Sequence, residues 1–187
     1  MTVKRQETQI ARELWLLRLK LPPLMKPATE FFETSGFTLR NFVPGSDEEI
    51  WLALNKSAFS DHPEQGSWDR KQLDQKLSEP WFNPSRFFLC FDSANKLAGC
   101  VWNKIHAVNE QVIGEVFILS VSPEHQRCGL GRALLQLSLF MMIQDEITRA
   151  MVYTDATNLR AIALYQSLGF TLSAIETIAP KYLATQS

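Results

Sequence analysis

Residues 114–135 read Gly114-Glu-Val-Phe-Ile-Leu-Ser-Val-Ser-Pro-Glu-His-Gln-Arg-Cys-Gly-Leu-Gly-Arg-Ala-Leu-Leu135, and this stretch decides the fold. Its first half is a buried strand, the middle a loop, and the end opens a helix. Gly129 and Gly131 remove side chains where backbone must come close to a ligand. The first N–H groups of a helix lack internal partners. Together with the helix dipole they make a site for an anion such as a pyrophosphate. Arg127 and Arg132 add positive charge beside it. Gly-x-Gly after a strand is also common as a plain tight turn. The segment is neither a GxGxxG fingerprint nor a Walker loop, since Gly-Lys-Ser/Thr is missing.

Outward from this stretch the pattern is regular. Residues 86–92, 97–105 and 112–121 read as three successive strands rich in Phe, Val, Ile and Leu, with Asn95-Lys96 and Asn109-Glu110 near the turns. From Gly129 to Gln144 the pattern is helical: Leu130, Leu134, Leu137 and Met141 form one stripe, with Ala133 and Phe140 beside it. A strand over 149–154, a helix over 158–168 and a strand over 170–178 follow. On the N-terminal side, Phe37–Phe42 alternates like a strand. Ser46-Asp-Glu-Glu then starts a helix with Ile50, Trp51, Leu54 and Ala58 on its apolar face. Residues 60–68 form a polar loop, 69–77 a short helix, and the Pro80 and Pro84 region is irregular. Three prolines and a glycine in 22–36 read as a linker, so residues 10–21 read as an arm outside the domain. The division is an N-terminal arm and linker over 1–34 and one domain over 35–187. Antiparallel hairpins followed by a strand-helix-strand-helix-strand half predict an α/β domain, a mixed sheet with helices on its faces.

Bulk properties narrow the function. The chain has 187 residues and a formal net charge of −1, so no overall basic field draws it to nucleic acid or an anionic membrane. Leu14-Trp-Leu-Leu17 follows Lys4 and Arg5, yet Glu7, Arg12 and Glu13 interrupt the run and no small-residue cleavage site follows, against a signal peptide. Cys90, Cys100 and Cys128 form no CxxC pair or metal spacing and read as reduced thiols of a cytoplasmic protein.

A second block, Asn158-Leu-Arg-Ala-Ile-Ala-Leu-Tyr165-Gln-Ser-Leu-Gly-Phe170, turns the weak loop signal into a specific one. Gln126-x-x-Gly129-x-Gly131 resembles the CoA pyrophosphate signature of the GCN5-related N-acetyltransferase (GNAT) superfamily. Asn158, Ala161, Tyr165 and Leu168-Gly-Phe170 resemble its second block. One departure is Cys128, where that family usually places a basic residue. The resemblance implies the GNAT acyl-CoA N-acyltransferase fold, a three-layer sandwich with a splayed central strand. It also implies acetyl-CoA as co-substrate, no metal, and a small-molecule amine as acceptor, in a monomer with no nucleic-acid or membrane partner.

A narrower resemblance rests on Arg40-Asn-Phe-Val-Pro-Gly45, Asn55-Lys-Ser-Ala-Phe-Ser-Asp-His-Pro-Glu-Gln-Gly66, Glu79-Pro-Trp-Phe-Asn-Pro84, Trp102-Asn-Lys104-Ile-His106 and Gly114-Glu-Val116. These look like the C-terminal domain of the mycothiol synthase (mycothiol acetyltransferase) family. That family acetylates the cysteine amine of cysteinyl-glucosaminyl-inositol and has two tandem domains. On the resemblance this chain holds the second, and the groove between domains is incomplete. Another amine as acceptor, or a non-catalytic acyl-CoA-binding module, are the alternative readings.

The resemblance assigns roles residue by residue. Leu119 and Val121 bind the pantetheine arm through their backbone. Gln126, Arg127, Gly129, Gly131, Arg132 and Asn158 surround the pyrophosphate. Tyr165 protonates the leaving thiolate, or else is a core tyrosine on an amphipathic helix. Glu115, a carboxylate in an apolar run, is the general base or an exposed edge residue. Trp102 and Lys104 line the acceptor pocket, or pack in the core and face solvent respectively. His62 is a pocket residue or a loop histidine bonded to nearby backbone. His106 and His125 carry no assigned role.

Overall fold

The apolar strands of the sequence assemble into one seven-stranded mixed sheet in the order β2-β3-β4-β5-β6-β1-β7. The computed structural model describes residues 12–60, 65–108 and 111–178. The strands are β1 (Arg12–Lys20), β2 (Thr38–Asn41), β3 (Phe87–Phe91), β4 (Leu97–Val108), β5 (Gln111–Val121), β6 (Arg149–Asp155) and β7 (Thr171–Ile178). The helices are α1 (Thr29–Ser35), α2 (Glu48–Ala58), α3 (Arg70–Leu77), α4 (Leu130–Gln144) and α5 (Leu159–Ser167). Strands β2 to β5 pair antiparallel in sequence, and β5 pairs parallel with β6. This is the mixed α/β arrangement that the element order predicts.

The N-terminal segment departs from expectation. Residues 12–20 are not an arm outside the domain. They form β1, inside the sheet between β6 and β7, antiparallel to both. Leu17 is opposite Val152 in β6 and Leu172 in β7 and is fully buried. Leu16 and Leu17 point to opposite faces of the sheet and are both buried, and Leu14 and Trp15 are half-buried, so the run shows no alternation. Arg12 is hydrogen-bonded to Asp155 at the far end of β6. The 22–36 stretch, read as a linker, contains the short helix α1, closed by Gly36 in the left-handed conformation at φ 75°.

Two apolar clusters sandwich the sheet. On one face Trp51 and Leu54 of α2 and Leu73 of α3 pack with Phe42, Phe87, Leu89 and Trp102. On the other, Leu130, Leu134 and Leu139 of α4 and Tyr165 of α5 pack with Leu17, Val116 and Val152. The start of α3 is fixed by a capping box in which Asp69 and Gln72 each bond the other's backbone N–H. Cys90 and Cys100 lie in these interiors, and burial raises their pKa to about 12 and about 11 respectively. Both stay protonated and unreactive at neutral pH.

Close approach of α4 to the sheet depends on Gly99 of β4. A Cβ there would stand 2.9 Å from the Ser120 carbonyl oxygen and 3.0 Å from Leu134 Cδ1. The backbone oxygen has nowhere to go. Gly99→Ala is therefore expected to cost about 1–3 kcal/mol through overpacking, read as a lower urea midpoint with unchanged slope.

Candidate active site

Two neighbouring strands that run parallel and then part leave a slot lined by unpaired backbone. β5 and β6 pair only at Gly114 with Ala150 and at Glu115 with Met151. Beyond that point β5 continues to Val121 without β6 beside it. On its other side β5 stays paired with β4, where a bulge opposite Trp102 and Asn103 leaves Phe117 as the extra residue. A bulge bends its strand and increases local twist, which turns β5 away from β6. Leu119 and Val121 lie on this diverging segment, opposite Val101 and Gly99 of β4.

Glu115 is the last residue before the fork and is 8% exposed. Its register partner in β4 is Lys104, so the two side chains share a sheet face. Lys104 does not reach for the carboxylate. Its Nζ lies 4.9 Å from the centroid of Trp81 and 5.9 Å from that of Phe117, a cation–π arrangement. The carboxylate is met instead by His106, whose Nε2 is 2.6 Å from Glu115 Oε2. Tyr153 of β6, two residues beyond Met151, faces the same side. Its pKa is raised, first by desolvation and then by the negative charges of Glu176 and Glu115.

The loop after β5 has the expected build. Gly129 is in the left-handed conformation at φ 91° and caps the start of α4. Arg127 also has positive φ, at 65°, which is uncommon for a side-chain-bearing residue. Gly131 leaves a gap: a Cβ there would lie 3.6 Å from Val121 Cγ2 and 3.7 Å from Leu164 Cδ2. Side chains tie α5 to this loop and to α4: Arg160 at the start of α5 donates to Gln126 Oε1 at 3.3 Å, and Arg132 at the start of α4 donates to Ser167 Oγ at the end of α5 at 2.8 Å. Asn158 Oδ1 caps α5 by accepting from the Ala161 N–H. His125, without a role in the sequence reading, braces the loop. Its Nδ1 is 2.7 Å from Ser122 Oγ and its Nε2 3.2 Å from Asp92 Oδ2. Cys128 is exposed, with its thiol on the His125 carbonyl.

Tyr165 lies on the inner side of α5 and is 6% exposed, its ring 5.8 Å from that of Phe170. Burial raises the pKa of its phenol. It belongs to the cluster containing Val116, whose side chain points away from that of Glu115. Glu115 and Tyr165 thus belong to opposite faces of the sheet that parts between β5 and β6.

Two residues expected at the acceptor pocket are placed differently. Trp102 is wholly buried, stacked on Phe87 at 4.4 Å with rings 4° from parallel, so it is core and no pocket wall. His62 lies outside the described residues. The sequence reading missed His106, Tyr153, Trp81 and Phe117. The first two carried a signal only through strand register, which pairs β4 with β5 and β5 with β6.

Comparison with known proteins follows the same lines. The acetyltransferase (GNAT) family matches residues 49–170. A mycothiol acetyltransferase of Thermobispora bispora is 45% identical over 171 residues, which is 90% of this chain and 57% of that protein. One from Streptomyces griseus is 41% identical over 165 residues, 88% of this chain and 52% of the other. The chain therefore spans about half the length of the curated relatives it matches. A GCN5-related N-acetyltransferase from Sphaerobacter thermophilus shares the fold, with a TM-score of 0.66 at 19% identity over 91% of this chain and 53% of its own.

Proposed function

The chain belongs to the acetyltransferase (GNAT) family, and on that premise we propose that it transfers acetyl from acetyl-CoA to the cysteine amine of cysteinyl-glucosaminyl-inositol, giving mycothiol. The observation that carries the acceptor is the identity of 41–45% to mycothiol acetyltransferases over most of this chain. The residues at the fork support the chemistry. The start of α4 and the glycine loop hold the pyrophosphate by backbone N–H groups and the helix dipole. The unpaired edge of β5 from Phe117 to Val121 bonds the pantetheine arm and carries the thioester to the fork. Glu115, desolvated beside the slot, takes the ammonium proton on a carboxylate oxygen. Tyr165 reaches the leaving sulfur from the other face and gives it a proton, an acid held in its protonated form by burial. Lys104, fixed over Trp81 and Phe117, presents a positive, aromatic wall to the acceptor. Acid and base are thus separated by the sheet, and the fork is the passage through which one reacting centre meets both.

Turnover of the purified 187-residue chain on a panel of amines tests this reading. Cysteinyl-glucosaminyl-inositol is expected to be acetylated with the highest kcat/KM. Preference for a peptide N-terminus or an aminosugar would overturn the acceptor. Acetyl-CoA binding without turnover of any amine would overturn the catalytic reading.

The pyrophosphate site has its own test. The Gly131 Cβ position meets only ordinary contacts, so Gly131→Ala should fold normally. Its methyl group would stand in the gap between Val121 and Leu164 and crowd the bound cofactor arm. Calorimetry is expected to show about tenfold weaker acetyl-CoA binding, the size of a mild overpacking penalty. Unchanged affinity would move the pyrophosphate away from this turn.

A further inference from the structure

We propose that His106 is a positioning residue for Glu115: its Nε2–H donates to Glu115 Oε2 and holds the carboxylate so that Oε1 is presented to the acceptor amine. The inference rests on the reading of Glu115 as general base and adds a residue that the sequence left without a role.

Three observations carry it. The first is the contact, at 2.6 Å between Nε2 and Oε2, short even for a charge-assisted hydrogen bond. The second is its origin in the strand ladder. His106 is opposite Ile113 and Lys104 is opposite Glu115, so the pleat sets His106 and Glu115 diagonally on one face of the hairpin. At that diagonal spacing the two side chains are within reach of each other. The third is the pair's surroundings. The Glu115 side chain is 10% exposed and that of His106 25%, so the carboxylate is largely removed from water while the imidazole keeps a solvent edge. Lys104, the nearest cation by register, is turned onto Trp81, and the Tyr153 hydroxyl points to Glu176 at 3.5 Å. Among the described residues, His106 is the group that bonds the Glu115 carboxylate.

The physical consequence concerns the last torsion of Glu115. That sp³–sp² torsion has a broad, weakly preferred profile. A carboxylate held at one oxygen loses that freedom and keeps the lone pairs of the other for the substrate. Without the bond the base samples orientations that miss the amine, and small misplacements of a reacting group are costly.

The test is a double-mutant cycle on kcat/KM for the acceptor. His106→Ala is expected to lose about tenfold in activity, with acetyl-CoA affinity unchanged. His106→Gln, whose amide donor sits near the position of Nε2, should restore most of the loss. In a Glu115→Gln background, His106→Ala should cost nothing further. A merely structural role would give the same loss in both backgrounds and overturn the proposal, as would wild-type rates in His106→Ala. If Glu115→Gln itself retains wild-type activity, it is the assignment of the base that fails. A readout independent of turnover is the imidazole N–H proton resonance. It is expected far downfield and protected from exchange in the wild-type chain, and absent in both His106→Ala and Glu115→Ala. A wild-type spectrum without that resonance would also overturn the proposal.

Discussion

Glu115→Gln is expected to lower kcat/KM by roughly 10²–10⁴ at neutral pH, the range for loss of a general base, and to regain activity as pH rises. The substitution preserves the shape of the side chain at a buried strand position but leaves no group to accept a proton. The acceptor must then arrive already deprotonated. An α-amino group titrates near pH 8, so the variant's profile should climb through about that pH while the wild-type profile levels off earlier. The sign follows from the substrate: the free amine increases with pH, and the wild-type enzyme alone has a carboxylate to make it at lower pH. A profile parallel to wild type, or an unchanged rate, would remove Glu115 from proton transfer.

Tyr165→Phe should behave differently. The ring stays packed against Phe170 in the cluster beneath α5, so the melting temperature should change little. The change removes one hydroxyl and with it the proton for the departing thiolate. The expected loss in kcat is roughly 10²–10⁴, toward the lower end because a thiolate leaves tolerably without help. This deficit should not recover as the acceptor amine titrates. Burial raises the phenol's pKa, so the wild-type acid stays protonated across the working range and contributes no falling limb there. The measurement is a pair of pH–rate profiles, Tyr165→Phe and Glu115→Gln, on one acceptor. Recovery of Tyr165→Phe in step with the amine would show that the two roles are misassigned.

The difference between what the sequence states locally and what the sheet decides runs through the molecule. From Phe87 to Ile178 the elements are legible because each is bounded by a turn or loop and carries its own strand or helix pattern. The glycine loop is legible because Gly129 stands in the left-handed conformation at the start of α4, and the Asn158–Phe170 block because Asn158 caps the start of α5 and left-handed Gly169 follows its end. β1 was not legible: its partners lie at the other end of the chain, and its burial on both faces erases the period of two on which a strand is recognised. Trp102 was ambiguous for another reason. An aromatic residue two positions from Lys104 on one face fits a pocket wall or a core equally well, and only the stacking on Phe87 and closure by α2 decide. His106 required the register of the β4–β5 hairpin, which places it diagonally from Glu115 where sequence spacing alone shows two residues nine apart.

Burying β1 between β6 and β7 sets a timetable for the nascent chain. Arg12 and its partner Asp155 are 143 positions apart, so at ribosomal speed β1 waits roughly 7–30 s for its neighbour to be made. Throughout that interval Leu14-Trp-Leu-Leu17 has no ladder to join, and such a segment is a template for pairing with other chains. Arg12, Glu13, Arg18 and Lys20 bracket it with charge, which suppresses that pairing until β6 is made. β7 in turn hydrogen-bonds to β1 and to no other strand of the sheet. Of the described strands, the earliest translated is therefore the docking template for the latest, and this half of the sheet closes only after β7 has been made.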